Sequence, residues 1–149
     1  MLKLPPDTRE FVELLNRLEV KYVMLGGYAV AWHGHPRLTK DVDFFIEASM
    51  QNGERVAAAL NEFGMGSLGL TAEDVSLGIG VHFGRPPWRI DLVAEADGIT
   101  FAEAWASRVE ADWDGLKVNM LSRELLLQNK RASGRLEDLA DVAKLEKRG

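Results

Sequence analysis

The chain has 149 residues, 46% of them hydrophobic, and no cysteine, which suits one domain with a real core and excludes disulfide frameworks, thiolate metal sites and a cysteine nucleophile. No apolar run approaches bilayer length and the first residues lack a basic-then-apolar signal layout, so a cytoplasmic protein with no membrane association is expected. The net charge of −5 is uneven, since from Lys117 onward eight basic and five acidic residues give +3; bulk charge argues against a long nucleic-acid substrate, while the last helices could still touch phosphates locally.

In chain order, Pro5-Pro6 end a short leader and Asp7-Thr8-Arg9-Glu10 has capping-box spacing. Phe11, Leu14, Leu15 and Leu18 follow as one face of an amphipathic helix. Tyr22 to Leu25 reads as a short buried strand stopped by Gly26-Gly27, and Tyr28 to His33 as a small apolar helix broken by Gly34 and Pro36. A polar and basic loop leads to a second strand, Asp41 to Ile46. Ser49 to Phe63 is a second amphipathic helix, with Val56, Ala59, Leu60 and Phe63 on one face. The stretch from Gly64 to Gly69 is ambiguous.

Further on, Gly78–Gly84 and Trp88–Val93 are strand candidates joined by Arg85-Pro86-Pro87 as a hairpin or tight loop. A helix from Phe101 to about Ser107 comes next. Val109–Trp113 and Leu116–Met120 form a predicted hairpin about Asp114-Gly115. Two helices close the chain. Ser122 caps the first and Gly134 stops it; Leu136, Leu139, Ala140 and Ala143 give the second its helical spacing. The expected fold is a single α/β domain, a small mixed sheet flanked by helices, with a core over about 20–95 and C-terminal helices over about 122–147.

The chemistry centres on Asp41-Val42-Asp43. Strand side chains at i and i+2 share a face, so the two carboxylates stand side by side among apolar neighbours, an arrangement that calls for a cation. A divalent ion with oxygen ligands is the usual answer. In Trp88-Arg89-Ile90-Asp91-Leu92-Val93, Ile90 and Leu92 face the core, leaving Asp91 on the other face with Arg89. If the two strands are neighbours, three carboxylates converge. The Gly26-Gly27 turn offers backbone N–H groups for phosphate. Metal plus phosphate indicates phosphoryl or nucleotidyl transfer.

Gly26-Gly27, thirteen intervening residues, Asp41-Val42-Asp43 and a later strand bearing Asp91 resemble the nucleotidyltransferase superfamily, whose relatives include DNA polymerase beta. Arg37-x-Thr39-x-Asp41-Val42-Asp43 with Lys130, Asp138 and Asp141 is similar to the abortive-infection type of bacterial nucleotidyltransferase toxin. The resemblance implies that Gly26 and Gly27 approach the nucleotide phosphates and that Asp41, Asp43 and Asp91 bind one or two Mg²⁺ ions. It further implies that Asp91 helps deprotonate the attacking hydroxyl. Arg37, Thr39, Lys40 and Lys130 are further candidates for triphosphate contact.

The implied reaction moves a nucleoside monophosphate from an NTP, ATP included, to a hydroxyl on an RNA end, a protein or a small molecule. The chain shows no large acceptor-holding domain, which leaves room for a partner protein or a second copy of the chain, as in a toxin–antitoxin pair. The rival reading is a non-catalytic nucleotide- or partner-binding module. Several polar residues have plainer readings: His33 and His35 as loop residues making local hydrogen bonds, His82 as a strand histidine, Asp138 and Asp141 as helix surface or salt-bridge partners, and Arg89 as a surface partner of Asp91.

Overall fold

Alternation along the strands decides how the sheet is covered. The computed structural model describes residues 2–84 and 88–147; the Arg85-Pro86-Pro87 connection lies outside them. The described elements run α1 (Pro6–Arg17), β1 (Tyr22–Leu25), α2 (Gly27–Trp32), β2 (Asp41–Ile46), α3 (Met50–Glu62), a 3₁₀ turn (Gly66–Leu68) and α4 (Ala72–Ser76). There follow β3 (Val81–Phe83), β4 (Arg89–Val93), α5 (Phe101–Ala106), β5 (Val109–Trp113), β6 (Leu116–Met120), α6 (Arg123–Ser133) and α7 (Leu136–Lys147).

The six strands form one mixed sheet in the order β3-β4-β2-β1-β6-β5. Two parallel pairs, β2 with β4 and β1 with β6, alternate with antiparallel ones. On one sheet face Tyr22, Met24, Phe44 and Ile46 are fully buried. Phe11 of α1 packs there edge-on against Phe44 at 5.9 Å, and against Phe63 and Phe83. On the other face Phe45 meets Phe101 of α5 at 5.2 Å; Tyr28 and Trp32 of α2 lie against the buried Trp113, which the register through Leu116 and Met120 puts on the Met24 face.

Local chemistry explains most boundaries. Ser49 accepts the Asn52 N–H at 3.1 Å and caps α3. Asp114 and Gly115, both at positive φ, make the β5–β6 turn. Ser122 caps α6, and Gly134 ends it in the left-handed conformation. The buried Asn52 side chain accepts from Lys21 N–H and donates to the carbonyls of Lys21 and Glu47, pinning α3 to the ends of β1 and β2.

Three expectations are corrected and one helix is added. No side chain caps α1; the helix starts on Pro6, whose ring presets φ and whose missing N–H is no loss in a first turn. The strand expected from Gly78 begins only at Val81, because Leu77 to Ile79 hydrogen-bond back onto α4. Helix α4 was not foreseen, although Thr71 and Asp74 close a full capping box. The apolar face expected to pack α7 points outward: Leu136 is 87% exposed and Leu139 42%, while Asp138, Asp141, Val142 and Leu145 are buried.

Candidate active site

Phe45, Asp43 and Asp41 share one face of β2. Phe45 lies under α5; two residues back the strand emerges from that cover, and Asp43 and Asp41 line a cleft of about 750 Å³. Parallel pairing sets Arg89 opposite Asp41, Asp91 opposite Asp43 and Val93 opposite Phe45. Ile90 and Leu92 are buried on the far face, so Asp91 turns toward the cleft as expected. Three carboxylates thus occupy adjacent positions on two neighbouring strands.

The glycine turn closes over them. Strand β1 ends with Leu25 beside Asp43. Gly26 then takes φ +77°, and a Cβ there would collide with Oδ2 of Asp43. A Cβ on Gly27 would lie 2.6 Å from Oγ1 of Thr39. Both positions therefore require glycine for close approach, and Gly26 for its backbone angle as well. The first amides of α2 have no intrahelical acceptor and open beside the carboxylates.

Crowding shows in the ionisation of Asp43. Burial, then a hydrogen bond with Asp91, then the charges of Asp91 and Asp41 push its carboxyl up to about 7, against a smaller opposing effect of Lys130. Such a donor set has an electrostatic deficit that a hard divalent cation would relieve. Among the described residues no three acidic or histidine side chains are already gathered into a metal cluster; Asp41 instead lies 3.5 Å from Nη2 of Arg89. The residues present fit Mg²⁺ in kind, all oxygen donors on one wall, and Asp41, Asp43 and Asp91 are the ones that would hold it.

Opposite stand the C-terminal helices. Lys130 of α6 is buried, with Nζ 2.8 Å from Asp138 Oδ1 and 3.2 Å from Asp141 Oδ2. Arg37 grips Asp141 through Nε and Nη2, both at 3.0 Å, and reaches Glu137 at 3.3 Å. Arg135 and Ser133 complete the shell of Asp138 at 3.0 and 2.6 Å. Burial alone would raise Asp138; hydrogen bonds from Lys130 and Ser133 and the charges of Lys130 and Arg135 outweigh it and hold the carboxyl below its ordinary value. Asp138 and Asp141 are therefore salt-bridged, as one reading had it, but interior rather than helix surface.

Of the sequence candidates, Gly26, Gly27, Arg37, Thr39, Asp41, Asp43, Asp91 and Lys130 all line this one cleft. Lys40 does not; its side chain is exposed, and its carbonyl accepts the Arg89 N–H at 3.0 Å. His33 is a structural residue, its Nε2 2.7 Å from the carbonyl oxygen of Leu121. His82 pairs with Asp91 across the β3–β4 ladder and is exposed. Sequence reasoning passed over Ser133, Arg135 and Glu137, which also line the cleft, and over Glu95 and Asp97 at its rim. Asn129 and Gln128 fix that rim by donating to the carbonyls of Asp97 and Gly98.

The sheet order and its flanking helices place the chain in the nucleotidyltransferase class of folds. The protein belongs to the family described as "nucleotidyltransferase of unknown function (DUF6036)", which matches residues 6–146. Among solved structures it is similar to a putative nucleotidyltransferase, TM1012, from Thermotoga maritima (TM-score 0.61, 13% identity, covering 95% of this chain and 91% of that one). It is also similar to the lincosamide antibiotic adenylyltransferase LnuA in its lincomycin-bound form (TM-score 0.58, 16% identity, 97% of each chain). A third is an antigenic nucleotidyltransferase-like protein from Paracoccidioides brasiliensis (TM-score 0.56, 18% identity, 97% and 78%). Comparison with curated protein sequences gives no match. Among the described residues no helix is long and apolar enough to cross a membrane.

Proposed function

We propose that the protein is a Mg²⁺-dependent nucleotidyltransferase that moves a nucleoside monophosphate from an NTP to a hydroxyl acceptor. The observation that carries this reading is the register of β2 on β4, which sets Asp41, Asp43 and Asp91 on one cleft wall beneath the Gly26-Gly27 turn. A bound divalent ion would supply charge neutralisation at the α-phosphate and at the departing pyrophosphate. The chain's own residues do the rest. Gly26 and Gly27 let backbone approach the phosphates. Lys130 keeps one of its three donors free of Asp138 and Asp141 and offers it to the triphosphate. Asp91, beside Asp43 on the neighbouring strand, would accept the proton of the attacking hydroxyl.

A small hydroxylated molecule is the acceptor the cleft suits best. Its rim carries Glu95 and Asp97, a poor surface for a polyanion. LnuA, similar over 97% of each chain, is described as a lincosamide antibiotic adenylyltransferase. A second reading, partner binding in a toxin–antitoxin pair, is favoured by the outward Leu136 and Leu139 of α7. The two readings are compatible on different faces of one chain.

The test is calorimetric titration with each NTP, with and without Mg²⁺, beside an Asp41→Ala/Asp43→Ala double variant. Metal-dependent binding that the variant loses supports the enzyme and justifies an acceptor search with α-labelled nucleotide. A folded wild-type chain that binds no NTP leaves the partner-binding module as the reading.

A further inference from the structure

Arg89 stands in the middle of the carboxylate wall. Its backbone places it opposite Asp41 and two residues before Asp91, on the same face as both. Its Nε lies 3.1 Å from Asp91 Oδ1, and its Nη2 lies 3.3 Å from Asp91 Oδ2 and 3.5 Å from Asp41 Oδ2. One guanidinium therefore bridges two of the three proposed metal ligands across the strand pair. Unlike Lys130, Arg89 is half-exposed, on a stem long enough to leave without disturbing the sheet. It also lines the cleft through which a triphosphate enters.

We infer that Arg89 is a positioning residue that couples metal loading to nucleotide arrival. The inference rests on the nucleotidyltransferase reading of this cleft. In the nucleotide-free protein Arg89 holds Asp41 and Asp91 by charge-assisted hydrogen bonds and competes with a divalent ion for them. A unit positive charge within a few ångströms of a divalent ion weakens its binding by about tenfold even in fully aqueous dielectric. A triphosphate gives the guanidinium a stronger anionic partner, so Arg89 moves from the carboxylates to phosphate oxygens and the carboxylates become available to the metal. Metal and nucleotide then enter cooperatively, and by linkage each tightens the other by the same factor. An alternative duty, plain support of the fold, is met poorly by a half-exposed ion pair, since such pairs contribute little.

The experiment measures Mn²⁺ affinity of the nucleotide-free protein by electron paramagnetic resonance, for wild type, Arg89→Met and Arg89→Lys. Nucleotide affinity in Mg²⁺ is read in parallel by calorimetry. Methionine keeps the apolar stem and removes the charge. Arg89→Met is expected to bind Mn²⁺ about three- to tenfold more tightly and NTP more weakly, and Arg89→Lys to lie between it and wild type. Mn²⁺ affinity that is unchanged or weaker in Arg89→Met, with NTP binding by wild type intact, overturns this inference alone and leaves Arg89 a surface ion pair. A wild-type chain that binds no NTP in Mg²⁺ overturns the enzyme reading and this inference together.

Discussion

Asp43 and Asp91 face each other directly across the parallel β2–β4 pair, carboxylate against carboxylate. Cross-strand like charges destabilise a sheet. Burial and that neighbour lift the Asp43 carboxyl from 3.8 to about 7. Between those values the folded chain holds a proton that the unfolded chain has released. Stability from this group is therefore present at low pH and declines as pH rises toward about 7.

Asp43→Asn removes that penalty. Thermal melting of the metal-free variant at about pH 8 is expected to exceed wild type by at least about 1 kcal/mol, roughly 2–4 °C for a chain of this size, while nucleotide transfer is lost. Mg²⁺ competes with the same proton, so its stabilisation of wild type should grow from about pH 6 to about pH 8. A variant no more stable than wild type at the higher pH would mean that the two carboxylates do not repel.

Gly26 is the position where backbone and carboxylate meet. An alanine there meets both the positive φ and Oδ2 of Asp43, so Gly26→Ala should destabilise by about 1–3 kcal/mol and displace Asp43. Gly27→Ala presses on Thr39, whose Cβ would lie 2.9 Å away and can yield only with the loop that carries it. Paired urea denaturation and NTP titration separate the two. The first variant should lose stability and nucleotide binding together; the second, with no positive φ to strain, should lose binding with a smaller loss of stability.

Asp141 ties the loop before β2 to both C-terminal helices. Its carboxylate is 3% exposed and serves Arg37 and Lys130 at once. Removing one member of a buried pair leaves the others unpaired, so Asp141→Ala is expected to cost about 3–5 kcal/mol. Arg37→Ala added to it should recover part of that loss, and denaturation of both variants gives the coupling. Asp138, held below its ordinary value by Lys130 and Ser133, contributes stability present above that ordinary value. That contribution disappears as pH falls through the folded-state value, so acid unfolding of wild type should begin in this network.

What could be read in the sequence was what neighbours along the chain determine. β2 was legible from Asp41 to Ile46 because Asp41 to Phe44 alternate and Phe45-Ile46 extend them as an apolar run, and the β5–β6 hairpin because Asp114-Gly115 admits few other conformations. Gly26-Gly27 and the Asp41–Asp43 pair were legible as chemistry because glycine and paired carboxylates each require a reason. The sheet order was not legible: β1 lies between β2 and β6, and Met24 meets Met120, a pairing that no local pattern announces. Nor was the burial of the Lys130–Asp141–Arg37 network, since mutual charge satisfaction, not hydrophobicity, encloses it.

Helix α7 holds the sharpest conflict between pattern and packing. Two faces carry the same i, i+3, i+4, i+7 spacing: Leu136, Leu139, Ala140 and Ala143, or Asp138, Asp141, Val142 and Leu145. The second is the buried one, because α6 brings Lys130 to it and the loop before β2 brings Arg37. Leu136→Gln should therefore change stability by no more than about 0.5 kcal/mol, as for an ordinary surface position. Leu145→Ala, on the buried face and fully enclosed, should cost about 2–5 kcal/mol. Urea denaturation of the two variants checks the orientation directly. If Leu136→Gln were the more damaging, α7 would be rotated, and Asp138 and Asp141 could not stand where they hold Lys130 and Arg37 at the cleft.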